Sequence, residues 1–251
     1  MKNTVKNVTE DLIRPSSRSI GKNLGLMFDG ATAWLACWGE KQKIKKEHEI
    51  KKFKELMEKS IQSISEENLK EPTMNIVGPA IEAAKFYYEE GYYRQLFANL
   101  IAASCDKTKI NDVHPAYVNI IKELSPLDAK FLSMFKYNAT YPMVELQIYN
   151  KNEKTITPCA YKIFYFKDKD KEFDNDEYIP LSKSLDNLMR LGLVIKNSRI
   201  HELGYDYDRL KEHCLYKIFE DTKENDDEEV EIIKYRLELT NIGEGFIDTC
   251  Y

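Results

Sequence analysis

The side chains best suited to metal chemistry lie in one segment, where two histidines and a cysteine offer soft ligands. They are His201, His213 and Cys214. Their spacing matches no common zinc site, and a fourth ligand would have to come from Glu202, Asp206 or Cys159. The pattern favours ordinary polar and core residues over a metal centre, so the sequence predicts neither a bound metal nor a cofactor.

Oxygen ligands are concentrated in the acidic segment 167–177. Its aspartates are Asp168, Asp170, Asp174 and Asp176. A calcium loop needs a glycine at its sharp turn, and this segment has none. The sequence also contains no phosphate-binding loop, no HExxH, no GxSxG and no dinucleotide fingerprint. Because the four histidines are scattered, they nominate no acid–base pair, and a protein without enzymatic activity is favoured.

The charge of the chain is unevenly distributed. From residue 126 onward there are 18 Lys or Arg against 25 Asp or Glu, hence −7, whereas the first 125 residues carry 19 against 17, hence +2. An acidic second half disfavours general nucleic-acid binding, which needs Lys and Arg on the docking face. Five widely spaced cysteines and no recognisable signal peptide favour reduced thiols in a cytoplasm.

The clearest structural pattern runs from Leu181 to Val194. Its inward-facing residues on a helix would be Leu185, Leu188, Met189 and Leu191. Ser182 and Ser184 are candidate N-caps, and Gly192 stands where a left-handed helix end is expected. Residues 235–240 alternate apolar and polar side chains, which predicts a half-buried strand, and a short terminal helix follows.

The pattern is a helix, a strand, a long connecting segment and a second strand. This is the order of a winged helix, with residues 196–234 as a much enlarged wing. The sequence Ser125-Pro126-Leu127-Asp128 predicts the first helix of that domain, since it combines a serine cap, proline at the first position and a carboxylate at the third. The expected fold is therefore mainly α, of the α+β class. A helical domain over 1–125 precedes a winged-helix-like domain over 126–251.

The most apolar stretch of the first half is residues 24–39. Gly21 and Gly25 have GxxxG spacing, and Trp34 and Trp38 lie one helical turn apart. Such a helix could associate with a membrane or with itself. A buried helix with small residues at a close crossing is favoured, because the run is too short to span a bilayer.

Other segments of the first half also predict helices. Residues 40–64 form a charged amphipathic pattern with one apolar stripe. The stripe consists of Ile44, Phe53, Leu56, Met57, Ile61 and Ile64. Pro79 is expected to begin the next helix, and His114 to make a hydrogen bond at the start of another. Residues 141–166 indicate strands or a mixture of helix and strand.

Four segments together resemble the Abi-alpha family, a bacterial family associated with abortive phage infection. They are IVGPAIEAAKFYYEEGYYRQLFANLIAASCD, VHPAYVNIIKELSPLDAKFL, SLDNLMRLGLV and YRLELTNIGEGFIDTC, and GKNLG near the start also fits. The resemblance covers residues 20–250. It implies a helical N-terminal part and a role in host defence, and it supplies no catalytic residues.

The first hypothesis for the mode of action is a non-enzymatic defence protein of the bacterial cytoplasm. Its winged domain would recognise a protein partner or a second copy of itself. Helix 181–191 would provide the contact surface, with Lys183, Asn187 and Arg190 exposed.

Two alternatives remain open. In one, the winged domain binds DNA, although its acidic charge disfavours this. The DNA-binding residues would be Lys183, Arg190, Lys196 and Arg199. In the other, residues 21–39 perturb a membrane through Trp34 and Trp38, so that the protein is membrane-associated.

Overall fold

A computed structural model describes residues 17–33, 40–164, 178–198, 207–212 and 214–251. These residues form helices and one antiparallel sheet, which confirms the α+β class. They divide into two compact units. The first unit is the described part of Met1–Glu123 together with Gly245–Tyr251, and the second is the described part of Leu124–Glu244.

The first unit is a bundle of helices. They are α1 (Ser17–Thr32), α2 (Glu40–Gln62), α3 (Met74–Tyr87), α4 (Gly91–Ala103) and α5 (Ala116–Glu123), with a short 3₁₀ turn at Lys107–Lys109. Helix α1 packs against α2 and α3, and α4 packs against α2, α3 and α5. No helix within the described ranges is long and apolar enough to cross a membrane.

The core of the first unit is built on the apolar stripe of α2. Phe53, Met57 and Ile61 are fully buried, as the amphipathic pattern predicts. The ring of Phe53 lies 4.6 Å from that of Phe28 on α1. Gly21 faces α2 so closely that an added Cβ would lie 3.2 Å from Cγ and 3.8 Å from Cα of Glu58. The side of α1 that carries Ile20, Leu24 and Phe28 is therefore buried at a close crossing, in line with the favoured interpretation for residues 24–33, while residues 34–39 of that stretch lie outside the described part of the chain.

Pro79 does not begin a helix, so that prediction is wrong. Helix α3 starts at Met74 and contains Pro79 in its interior. Proline offers no N–H to the carbonyl of Asn75, but both residues are on the exposed side of the helix. The helix continues because its other side is buried. The buried residues are Ile76, Val77, Ala80, Ile81, Ala83 and Ala84.

Two helix starts are formed as predicted. The backbone N–H of Ala116 donates to Nδ1 of His114 at 3.1 Å, at the beginning of α5. Ser125 and Asp128 form a complete capping box at the next helix, α6 (Pro126–Ser133). Both arrangements satisfy backbone donors that a helix leaves unpaired in its first turn.

The second unit contains α6 and a four-stranded antiparallel sheet. Its remaining elements are β1 (Thr140–Asn150), β2 (Thr155–Phe164), α7 (Tyr178–Arg190), β3 (Val194–Asn197), α8 (Cys214–Asp221), β4 (Glu228–Leu239) and the start of α9 (Asn241–Cys250). The strand order is β2-β1-β4-β3. Residues 141–166, undecided from sequence, thus supply the two strands of a hairpin.

The segment expected to be an enlarged wing contains a helix that contributes to the core. Helix α8 packs against β4, and Leu215 joins a buried cluster with residues from β1 and β4. The other members of that cluster are Val144, Leu146, Tyr207 and Val230. The acidic residues between α8 and β4 are largely exposed, as expected for a solvated charge run.

Ser182 and Ser184 are not helix caps, contrary to prediction, because α7 begins at Tyr178. Both side chains are buried. The hydroxyl of Ser182 instead accepts from the backbone N–H of Lys162 at 2.9 Å and lies 3.3 Å from the carbonyl of the same residue. Lys162 belongs to β2, which forms one edge of the sheet. The Ser182 hydroxyl therefore contacts the N–H and carbonyl of a residue on the open side of this edge strand, where no further strand pairs with it.

Candidate functional site

Helix α7 is held in place by its apolar side. Leu181, Leu185 and Leu188 are buried, as the sequence predicts for the latter two, and Leu191 is half-buried. The helix ends at Gly192, whose φ of +72° is the predicted left-handed conformation. Strand β3 follows directly and pairs with β4, placing Val194 opposite Leu239. The leucines thus fix which side of α7 faces solvent.

The polar side of α7 carries the three predicted contact residues in different environments. Lys183 and Arg190 are exposed, whereas Asn187 is half-buried. Nδ2 of Asn187 donates to Oδ2 of Asp128 at 2.8 Å. Its Oδ1 accepts from Nε and Nη2 of Arg190 at 3.0 and 2.8 Å. Asn187 therefore orients Arg190, a positioning role that the sequence did not indicate.

The capping box of α6 also helps to position α7. Oδ2 of the buried Asp128 accepts from the backbone N–H of Ser125 at 2.7 Å and from Asn187. The sequence predicts Asp128 only as part of a helix start. Asn187 lies 59 positions further along the chain, so no local signal connects the two. One carboxylate thus links the start of α6 to the polar side of α7.

Ser125→Ala is expected to lower the free energy of unfolding by about 1 kcal/mol, because the N–H of Asp128 loses its acceptor. Ser133→Ala, at the other end of α6, is the matched control. Its hydroxyl only donates to the carbonyl of Lys130 within the same helix, so its loss is expected to be smaller. Urea denaturation measures both variants, and equal losses would show that the capping box adds no stability.

A further charged residue of the winged pattern, Lys196, lies on β3. Its Nζ lies 2.7 Å from Oε1 of Glu145 on β1 and 4.7 Å from the centre of the Tyr235 ring. Burial, followed by the charge of Glu145, raises the pKa of Tyr235. The ammonium of Lys196 is already paired with a carboxylate, which weakens its attraction for a phosphate.

Several predicted residues lie outside the described part of the chain. They are Trp34, Trp38, Arg199, His201 and His213. Cys214 is described, and it packs half-buried against the apolar cluster around α8. Within the described ranges, no group of three or more His, Cys, Asp or Glu side chains is placed to hold a metal ion.

The first unit contains a surface cavity of about 270 Å³ between α2, α4 and the last residues of the chain. Its polar lining includes Ser60, Ser63, Asn99, Asp106, Lys109 and Asp248. Nδ2 of Asn99 donates to the carbonyl of Cys250 at 2.9 Å, and Nζ of Lys109 donates to that of Asp248 at 2.6 Å. The lining contains neither histidine nor cysteine, and these hydrogen bonds join its walls to one another.

The segments that build these two units match one family model. The match, to Abortive infection alpha, covers residues 45–250, from within α2 to the last residue of α9. The protein belongs to the abortive infection alpha family. This confirms the resemblance carried by the sequence segments, and the matched range includes the whole of the second unit. No curated protein and no solved structure matches the chain.

Proposed function

We propose that this member of the abortive infection alpha family is a non-enzymatic phage-defence protein that acts by protein recognition. The polar side of α7 would contact a protein partner or a second copy of the chain. The observation that carries this proposal is the division of α7 into a buried leucine side and an exposed side with charges of both signs. Lys183, Asp186 and Arg190 are the exposed charged residues.

The arrangement of these charges favours a protein over a polyanion as partner. Nζ of Lys162 lies 2.6 Å from Oδ1 of Asp186, and Oδ1 of Asn187 accepts a hydrogen bond from Nη2 of Arg190. Side chains fixed in this way lose less conformational freedom when a partner binds. A surface that alternates positive and negative groups selects a partner with the opposite pattern, whereas a nucleic acid requires a predominantly positive surface.

The proposed architecture of the second unit is a winged helix. Helix α6, helix α7, the left-handed Gly192 and the antiparallel strands β3 and β4 occur along the chain in the order of that fold, with the β1–β2 hairpin between the two helices and α8 between the two strands. Residues 196–234 would be the enlarged wing, with α8 folded onto the sheet. We also retain the proposal of domains over 1–125 and 126–251 in a cytoplasmic protein, for which limited proteolysis and cell fractionation are the tests.

Lys183→Glu combined with Arg190→Glu is expected to abolish partner capture and phage protection. The reason is that both reversals place like charges where the partner presents carboxylates, and the second also removes the hydrogen bonds to Asn187. Capture is measured by co-purification of the full-length tagged protein from phage-infected cells. Protection is measured by plaque counts on the same strains.

The matched control is Lys154→Glu combined with Lys217→Glu, which makes the same charge change at two exposed residues elsewhere in the second unit. This control should retain capture and protection. Thermal unfolding of both double variants should stay near that of the native chain. Protection that survives reversal at Lys183 and Arg190 in a folded protein would rule out α7 as the contact surface.

A second candidate function is DNA binding, favoured by the helix–strand–strand order and by basic residues on α7. Lys183 and Arg190 would then meet phosphates or base edges, with Lys196 and Arg199 beside the groove. A gel-shift titration across salt concentrations decides between the candidates. Binding that is absent at low salt, or that does not weaken as salt rises, would exclude this function.

A further inference from the structure

We propose that the outer side of α1 is a docking surface for an anionic phospholipid membrane. This outer stripe consists of Arg18, Lys22, Leu26, Met27 and Gly30, all of them exposed. The proposal is independent of the protein-recognition function assigned to α7. It concerns peripheral binding, since the opposite side of α1 is buried in the first unit.

The apolar part of the outer stripe consists of two adjacent exposed side chains. The side chain of Leu26 is 61% exposed and that of Met27 is 36% exposed, and they are adjacent in the chain. The buried side of the same helix already has its own apolar residues. These are Ile20, Leu24 and Phe28, all almost fully enclosed. Leu26 and Met27 are therefore additional to the core, and they are available to enter a bilayer interface.

Charge is arranged along the outer stripe so that one end suits headgroups and the other suits acyl chains. Arg18 and Lys22 precede Leu26 by two turns and one turn, so the Cα atom of Arg18 lies about 12 Å along the axis from that of Leu26. An interfacial helix places its apolar groups about 5–10 Å deep, with basic residues at the phosphates. This separation lets α1 dock with its C-terminal end dipping toward the acyl chains.

Neighbouring charges leave the outer stripe positive at its N-terminal end. Asp29, the acidic residue on the exposed side of α1, is paired with Lys54 of α2. Glu58 of α2 lies beside Gly21, where it meets the inner side of α1. An anionic surface is therefore the complementary partner.

The test is sedimentation of the full chain with phosphatidylcholine vesicles, with and without phosphatidylglycerol. We expect binding only to the anionic vesicles, and a loss of binding as salt rises. Leu26→Ser combined with Met27→Ser should weaken binding at least about tenfold, because both side chains leave the interface. Arg18→Gln combined with Lys22→Gln should weaken binding to anionic vesicles by a similar factor.

Matched controls exist within the same unit. Met74→Ser combined with Phe86→Ser removes two exposed apolar side chains from α3, and Lys51→Gln combined with Lys59→Gln removes two charges from α2. Both controls should bind as the native chain does. Equal binding to neutral and anionic vesicles, no binding, or native binding by Leu26→Ser with Met27→Ser would overturn the proposal. So would an equal loss in the α3 control.

Circular dichroism melts confirm that each variant is folded before its binding is compared. Should the serine variant be unstable, Leu26→Gln combined with Met27→Gln keeps comparable side-chain length and the same helix propensity class, and it carries the same expectation. The outcome does not depend on α7. Loss of partner capture by the Lys183 and Arg190 reversal would leave the vesicle result unchanged.

Discussion

Gly243→Ala is expected to lower the free energy of unfolding by about 3 kcal/mol or more, one of the two largest effects foreseen for this chain. Gly243 lies in the first turn of α9, directly against Leu193, which connects α7 to β3. A Cβ there would collide with the carbonyl oxygen of Leu193 and lie 3.0 Å from its carbonyl carbon. It would also lie 3.2 Å from Cδ2 of Leu239. The obstacle is therefore backbone, which has little freedom to move.

The carbonyl of Leu193 cannot shift without losing other contacts. It accepts from the backbone N–H of Thr240 at 3.0 Å. The hydroxyl of Thr240 donates to the carbonyl of Gly192 and accepts from the N–H of Gly243 at 3.0 Å. Displacing Leu193 would break this set of hydrogen bonds and disturb the pairing of β3 with β4. A strain that no single side chain can relieve explains the size of the expected loss.

Gly25→Ala on α1 is the matched control for Gly243→Ala. Gly25 is also a helical glycine, and nothing lies within 4 Å of the Cβ that alanine would add. Alanine is about 1 kcal/mol better than glycine inside a helix, so this variant should be at least as stable as the native chain. Urea denaturation followed by circular dichroism measures both. A Gly243→Ala variant as stable as Gly25→Ala would disprove the close approach.

The second large effect concerns a nearly enclosed ion pair in the first unit. Glu49 of α2 bonds to Arg94 of α4, and their side chains are only 15% and 12% exposed. Hydrogen bonds from Lys52, at 2.8 Å, and then from Arg94 lower the pKa of Glu49 from 4.5 to about 2. Glu49→Gln should lower the free energy of unfolding by about 2 kcal/mol at pH 7, because Arg94 then lies without a counter-charge.

The pH dependence of this effect has a definite sign. The pKa of Glu49 is lower in the folded chain than its usual value of 4.5, so folding favours the ionised carboxylate. Its contribution to stability is fully present above pH 4.5 and disappears as the pH falls through about 2. The difference between the native chain and Glu49→Gln should therefore be constant near neutrality and shrink across that interval.

Glu55→Gln provides the comparison on the same helix. Glu55 is 62% exposed and lies 3.7 Å from Lys51, a surface pair that contributes little. Urea denaturation at a series of pH values should show almost no effect of this variant at any pH. If Glu49→Gln behaved in the same way, the enclosed pair would contribute no net stability.

Sequence reasoning was most successful where a structure is determined by neighbouring residues. The capping box at Ser125, the left-handed Gly192 and the strand over Tyr235–Leu239 each depend on a few adjacent positions. Buried Leu185 and Leu188 follow from helical spacing alone. Such local signals are enough to place the end of α7 at Gly192 with β3 after it, and the spacing of its leucines gives its inward side.

The errors and omissions arise from distant packing. Pro79 was expected to start a helix, but burial of its neighbours carries α3 through it. Ser182 was expected to cap α7, but it bonds to Lys162, 20 positions earlier. The pairing of Asn187 with Asp128 likewise joins remote parts of the chain. Periodicity contains no information about such partners. The sequence therefore predicts which residues lie on the polar side of α7, but it does not predict the hydrogen bonds that join them.

The hydroxyl of Ser182 has a consequence for how this protein behaves at high concentration. An open sheet edge is a template on which other chains can add strands, and edge pairing of this kind leads to aggregation. Strand β2 would present such a template at Lys162 if the backbone N–H and carbonyl of Lys162 made no hydrogen bonds. A single serine hydroxyl contacts both groups, and Pro158, earlier in the same strand, has no N–H to offer. Strand β2 is thus shielded against intermolecular strand addition at two positions, by a serine of helix α7, which packs against it, and by its own proline.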